Sequence, residues 1–130
     1  MINTGVYDYI NVLDRAADAS YLRNKMYSNN IANINTPGYK RQDVSFAAEL
    51  EEALKHSRYR TLDDKVSNVR LSRLNGRVFT DAEAFSYRLD GNNVDIDTES
   101  ASIAANNLLY NGLTQSMSAE FRNLQAVMTS

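Results

Sequence analysis

The run Asp90 to Glu99, DGNNVDIDTE, sets four carboxylates and two amides in ten positions. Hard cations such as calcium bind through oxygens of this kind. A helix-loop-helix calcium loop, however, needs glycine at its sixth position, and Gly91 is second here. A tight turn at Asp90-Gly91 followed by a capped helix accounts for the same residues, so no metal is expected. His56 is the sole histidine and follows an acidic amphipathic stretch, which suits a solvated side chain. The glycines at 5, 38, 76, 91 and 112 form no phosphate-cradling loop, and no G-x-S-x-G nucleophile elbow occurs. Neither a catalytic constellation, a cofactor nor a small-molecule substrate is expected.

The second chemical oddity is NNIANINTPGYK, residues 29–40. Asparagine is a mediocre helix former because its amide competes for nearby backbone groups. Four of them, Asn29, Asn30, Asn33 and Asn35, nevertheless crowd the end of what reads as a long helix. Their spacing of one, three and two prevents them from sharing one face. Each amide offers two donors and an acceptor. Helix capping and a turn would use Asn35; the other three are left to pin the following loop or to bridge to a neighbouring subunit. Pro37 forces Thr36 into an extended conformation and ends the helix. Pro37-Gly38 suits the centre of a type II turn, with Gly38 at positive φ. Tyr39 is expected to pack its ring on a helix and place its hydroxyl on a polar partner.

Two long helices must position these residues. Val6, Ile10, Leu13, Ala17, Ser20, Asn24, Tyr27, Ile31 and Ile34 alternate steps of four and three, a heptad seam uninterrupted by Gly or Pro from Val6 to Asn35. Ile103, Asn106, Tyr110, Leu113, Met117, Phe121, Leu124 and Met128 repeat the pattern toward the C-terminus, with Asp97 as N-cap, Glu99 in the first turn and Gly112 as a weak point. The expected fold is mainly α: two heptad-patterned terminal helices packed as an antiparallel coiled coil, with a small irregular or β-hairpin middle region. The chain divides into a helix over 1–35, a middle over 36–96 and a helix over 97–130, within one domain. In the middle, Phe46 to His56 reads as a short amphipathic helix. The alternation around Asn75-Gly76 in NVRLSRLNGRVFT predicts a hairpin. Polar seam residues such as Ser20, Asn24 and Asn106 weaken a simple two-helix pairing. They suit register fixing and a multi-partner assembly.

With 130 residues, a net charge of -2 and no cysteine, the chain is expected to form neither disulfides nor zinc fingers and lacks the basic excess of a nucleic-acid protein. Arg70, Arg73 and Arg77 form a small basic cluster, diluted by Asp63, Asp64 and Asp81 and read as a solvated surface. No apolar run is long enough to span a bilayer. MINTGVYDYINVLDR has no basic start, apolar core or small-residue cleavage site, so no cleaved secretory signal is expected.

SNNIANINTPGYKRQDVSF resembles the N-terminal signature of the bacterial flagellar rod and hook proteins: Asn-Ile-Ala-Asn closely followed by Thr-Pro-Gly-Tyr. RLDGNNVDIDTESASIAANNLLYNGL is similar to the stretch before the C-terminal helix of the short, proximal rod proteins. Residues 57–86 carry no such likeness. The resemblance implies a structural subunit of the flagellar basal-body rod, polymerised into the drive shaft that transmits motor torque. It implies export through the flagellar type III gate, other rod subunits and basal-body proteins as partners, and a place in the cell envelope. The terminal helices would line the tube. Asn29, Asn30, Ile31, Asn33, Thr36, Pro37, Gly38 and Tyr39 would redirect the chain and bond neighbours. Phe46 and Leu50, at i and i+4, resemble the hydrophobic element read by the export gate; ordinary core contacts explain them as well. Both terminal helices are expected to be disordered before assembly. A helical adaptor of the export apparatus is the competing reading. A cell-wall hydrolase, which would need paired carboxylates in a cleft, is a distant third.

Overall fold

The computed structural model describes residues 2–55, 61–81 and 88–129, with side chains from residue 7 onward. His56 lies outside the described residues. Helix α1 (Ile2–Ala32) and helix α4 (Ile96–Thr129) run antiparallel, with Ser20 facing Asn106 and Asn30 facing Glu99. Between them lie strand β1 (Gln42–Ser45), helix α2 (Ala47–Lys55), helix α3 (Leu62–Ser67), a 3-10 turn at Leu71–Arg73 and strand β2 (Arg77–Thr80).

The seam is the expected one in its centre. Ile10, Ala17, Ser20 and Tyr27 of α1 are buried, as are Asn106 and Leu124 of α4. On α4 the apolar stripe is wider than the partner that covers it. Phe121 remains 50% exposed and Met128 71%, although both lie on the predicted heptad positions. The polar residues of the seam satisfy one another. Ser20 Oγ donates to Asn106 Oδ1 at 3.0 Å; the Asn106 amide donates to Ser20 O at 2.7 Å and to Asn24 Oδ1 at 2.8 Å. Asn24 in turn donates to Asn107 Oδ1 at 2.7 Å. Sliding either helix by one turn would break this ladder and leave buried amides unpaired, so it fixes register. These polar groups are thus partnered within the one chain.

Two boundaries shift. Helix α1 stops at Ala32, three residues short of Asn35, because the chain tightens: Asn33 N–H reaches Asn30 O and Ile34 N–H reaches Ile31 O, both at 3.2 Å. Helix α4 is capped by Asp95 rather than Asp97. The Asp95 carboxylate accepts from Asp97 N–H at 3.0 Å and Thr98 N–H at 3.4 Å, which leaves Asp97 and Glu99 in the first turn to favour the dipole.

The predicted hairpin around Asn75-Gly76 does not form. Strand β2 instead pairs antiparallel with the distant β1, from Gln42 opposite Thr80 to Ser45 opposite Arg77. Gly76 serves packing. A Cβ there would lie 3.0 Å from Val44 Cγ1 and 3.2 Å from Ala19 Cβ, so any larger residue would have to push Val44 or α1 aside by a few tenths of an ångström. Gly76→Ala is expected to cost about 1 kcal/mol or more through overpacking. A denaturation midpoint equal to wild type would remove this role.

Helix α2 occupies the amphipathic stretch foreseen from sequence, yet none of its side chains is buried. Helix α3 is started by Thr61, whose hydroxyl accepts from Asp64 N–H at 3.2 Å. Val66 and Leu74 bring the middle segment down onto α1 as part of the buried core.

Candidate functional site

The polar groups of the two signature stretches converge where α1 ends and α4 begins. Asn30 is fully buried and all its amide capacity is used. Its Nδ2 donates to Gln42 O at 2.8 Å and Glu99 Oε2 at 3.1 Å; its Oδ1 accepts from Gln42 N–H at 2.8 Å and the Tyr39 hydroxyl at 3.0 Å. The amide thus acts as an extra backbone unit that starts β1 beside the helix end. Asn29 Nδ2 donates to the same hydroxyl at 3.0 Å, so Tyr39 lands on polar partners as expected. Asn33 folds back onto Asn29 O at 2.8 Å and accepts from Thr36 Oγ1 at 3.1 Å.

The turn has the expected geometry. Tyr39 N–H bonds Thr36 O at 3.2 Å across Pro37-Gly38, and Gly38 has φ of 73°. No atom lies within 4 Å of a Cβ added at Gly38. The requirement for glycine is thus conformational alone. Gly38→Val is expected to cost about 1–3 kcal/mol, since a β-branched residue at positive φ is strained. A Gly38→Val subunit that unfolds at the wild-type midpoint and supports normal swimming would show the turn to be wrongly assigned.

The helix end is closed from across the chain. Asn92, fully buried, aims Nδ2 at the carbonyls of Asn33, Ile34 and Thr36, at 2.9, 3.1 and 2.9 Å. Arg88 adds a bond to Ile34 O at 2.6 Å. These are carbonyls of the turn that follows α1, while Asn29 O, Asn30 O and Ile31 O of the last helical turn are met locally by Asn33 and Ile34 N–H. Asn35, expected to cap the helix, is exposed and bonds no described residue. Asn93 holds the facing strand, accepting from Arg41 N–H at 2.7 Å and donating to Asp81 O at 2.7 Å. Lys40 Nζ donates to Gly91 O, and Gly38 N–H to Asp90 O at 2.7 Å. Gly91 turns the chain at φ of 77°. The amides of the oxygen-rich run, and Glu99 with them, are thus engaged in holding the fold. The signal for this was the amide doublet Asn92-Asn93 between a glycine turn and buried Val94.

Arg41 ties three elements together. Its guanidinium reaches Glu99 at 2.7 Å, Asp81 at 2.8 Å and Asp43 at 3.3 Å, joining β1, the end of β2 and the first turn of α4. The Glu99 carboxylate is 1% exposed and is neutralised by this contact and by Asn30. Asp43 also binds Arg23 at 2.9 Å. Burial opposes the charge on Asp43, but hydrogen bonds from Arg23 and Val44 N–H, with both guanidinium charges, outweigh it and hold the carboxyl below its ordinary range. A depressed carboxyl stabilises the fold above its unfolded pKa and ceases to do so as pH falls through the folded value.

Phe46 and Leu50 are half-buried and joined by the Leu50 N–H to Phe46 O bond at 2.8 Å. They line an apolar groove of about 420 Å³ with Ala16, Phe79, Leu109 and Leu113. The structure keeps them apart from the asparagine knot, on the other side of β1. Ile31 is half-buried in the last turn of α1. Among the site residues named from sequence, Asn30, Tyr39, Asn29 and Asn33 are brought into one network; Arg41, Asn92, Asn93 and Glu99 complete it and were not foreseen.

The model of the flagella basal body rod protein family matches residues 10–40, most of α1 as it leads into this knot and the turn beyond it. The flagellar basal body rod protein FlgB of Bacillus subtilis is 34% identical over 118 residues, covering 90% of each chain. This chain belongs to the FlgB family of flagellar basal body rod proteins. The Borrelia hermsii FlgB is 30% identical over 134 residues, with 92% of this chain and 94% of the relative covered, and that of Escherichia coli is 30% identical over 115 residues, with 83% of each covered. FlgB-family membership makes the chain a structural component of the rod, among other rod and basal-body proteins. No described helix is long and apolar enough to cross a membrane.

Proposed function

We propose that this chain is a subunit of the proximal rod which polymerises with its neighbours into the torque-transmitting shaft, and that the asparagine knot sets the angle at which each subunit leaves the inner helical layer. The observation that carries the reading is the closed end of α1. A glycine turn is clamped by Asn30 on the Tyr39 hydroxyl and by Asn92 on Thr36 O, and the turn itself lies within the segment that the family model matches. A shaft under load needs such a corner to be stiff, and a hydrogen-bonded corner with every buried side-chain atom partnered is stiff. The exposed apolar flank of α4, with Leu109 51% and Val127 52% exposed, supplies surface for neighbours to cover. Asn29, Thr36 and Pro37 are exposed and available to them; Asn30 is not.

Isolated basal bodies imaged by electron cryomicroscopy test this. The chain should trace into the rod wall with several neighbours around each copy. A map in which the wall is built without it, or in which it touches one partner at the export apparatus, would sink the rod reading and favour an adaptor.

The route to that position is the flagellar type III export channel, with Phe46 and Leu50 as the element read by the gate. Both residues sit at the edge of the groove, where core contacts in the assembled rod account for them equally well. Phe46→Ala separates the two roles. Subunits should accumulate inside the cell while purified protein still associates. Unimpaired secretion of the variant would leave packing as the only role.

A further inference from the structure

The chemistry of the Asn75-Gly76 pair is used neither by the fold nor by the rod reading. With no Cβ, a glycine lets its own backbone nitrogen approach the side-chain Cγ of a preceding asparagine or aspartate. Three such pairs occur, at 75–76, 90–91 and 111–112. The structure separates them. Gly91 N–H is bonded to Arg88 O at 3.1 Å, and an Asp90 carboxylate oxygen holds Asn92 N–H at 3.1 Å. Asn111 and Gly112 lie inside α4, where the helical ladder occupies the nitrogen in the folded form. Asn75 and Gly76 lie between the 3-10 turn and β2, in neither helix nor strand, and Asn75 is exposed. Arg15 Nη1 donates to Asn75 Oδ1 at 3.0 Å, while Asn75 Nδ2 donates to Ser72 O at 2.9 Å.

We propose that Asn75 is a site of spontaneous deamidation, activated by Arg15. The guanidinium draws electron density from Cγ and stabilises the negative oxygen that forms when this carbon is attacked. Hydroxide takes the Gly76 N–H proton, and the nitrogen bonds to Cγ. The Cγ–Nδ2 bond then breaks, and its nitrogen leaves as ammonia, taking a proton from water and returning hydroxide. The surface bond to Ser72 breaks with it, and water takes its place. Water next opens the cyclic imide. Attack at Cγ leaves aspartate at 75. Attack at the backbone carbonyl carbon of residue 75 leaves isoaspartate, whose main chain runs through the former side chain. The sum is an amide and a water converted to an acid and ammonia, with no change of oxidation state. The products differ in consequence. Aspartate keeps the main chain and faces Arg15 as an ion pair. Isoaspartate adds a carbon to the main chain immediately before Gly76, where even a Cβ would lie 3.0 Å from Val44 Cγ1 and 3.2 Å from Ala19 Cβ. The segment leading into β2 is then pushed off α1.

Peptide mapping by mass spectrometry tests this, on purified subunit aged in mildly alkaline buffer, with enzymatic isoaspartyl methylation to count the second product. Asn75 should convert about tenfold faster than Asn111, less than a donor achieves in a dry oxyanion site because Asn75 is exposed. This holds even if α4 is frayed in the free subunit, since Arg15 acts on Asn75 alone. In urea, where both dipeptides have lost their surroundings, the two should convert at a common rate. Arg15→Gln should slow Asn75 in native buffer and leave Asn111 unchanged. Arg15→Lys, which keeps the charge and serves if Arg15→Gln fails to fold, should fall between. The isoaspartate-rich fraction should unfold at lower urea than fresh protein, and Asn75→Asp should unfold no earlier than wild type. Equal rates at 75 and 111 in native buffer would place the reaction in the unfolded chain and overturn the proposal. An Asn75 rate that Arg15→Gln leaves unchanged or raises overturns it too, because the guanidinium would then be idle or protective. An isoaspartate-rich fraction as stable as fresh protein overturns the consequence for β2.

Discussion

Replacing Asn30 by Leu lowers the stability of the folded subunit by about 3 kcal/mol or more, far beyond the loss of one ordinary hydrogen bond. The substitution is close in size, so the cost is polar rather than steric. It removes both bonds to the Gln42 backbone, the acceptor for the Tyr39 hydroxyl and one donor to Glu99. Each buried polar group left without a partner costs about 1–3 kcal/mol, and the Glu99 carboxylate, nearly inaccessible, is at the upper end. Asn29→Ala is the control. Asn29 is exposed, and its amide donates to the Tyr39 hydroxyl and accepts a long bond from Asn33 Nδ2 at the surface, so a change of about 0.5 kcal/mol or less is expected. Urea denaturation of the two variants decides the matter. Equal small losses would mean that the knot contributes nothing beyond its individual bonds.

The free subunit is expected to show much less helix than the folded form described here, with the loss concentrated away from the knot. Ordering one residue's backbone costs roughly 1–2 kcal/mol, and α1 and α4 order 31 and 34 residues. Burial to offset this is uneven. Around residues 27–30 and 92–99 the chain buries Tyr27, Asn30, Asn92, Asn93, Val94 and Glu99. Beyond Asn106, α4 buries Leu124 alone, while Leu108 is 74% and Val127 52% exposed. That half of the helix requires neighbours. Amide exchange on the monomer should therefore be fast over residues 107–129 and slower over 27–30 and 92–99. Circular dichroism should show helix gained on assembly. Uniform protection along α4 in the monomer would refute coupling between assembly and order.

Where local chemistry decides the structure, it was legible. The Gly- and Pro-free heptad run specified α1, and Thr-Pro-Gly-Tyr specified its turn, because both signals act within a few residues. The knot was half visible: the surplus of asparagines announced it, but Asn92 lies 59 residues from Asn33, and no local pattern pairs them. Asn75-Gly76 misled for the same reason. Its dipeptide favours a hairpin locally, while the decisive fact is the close approach of Ala19 and Val44 to Gly76. Asp97 was read as the cap of α4, and only the backbone path selects Asp95 two residues earlier.

The closure of α1 by Asn92 has a temporal consequence. A chain that emerges end-first from any narrow conduit cannot finish this corner until residues 33 and 92 are both outside, with the 59-residue interval cleared. Until then the carbonyls of Asn33, Ile34 and Thr36 beyond α1 stay open to water, β1 lacks β2, and Arg41 lacks the carboxylates of Asp81 and Glu99. Local helix can flicker in the meantime, but the contacts that would lock it have a long loop to close first. Completion of the corner therefore requires an intact chain through residue 92. A chain that stalls or is cut before residue 92 presents an unfinished elbow, and a growing tip that accepts only the finished angle would reject it.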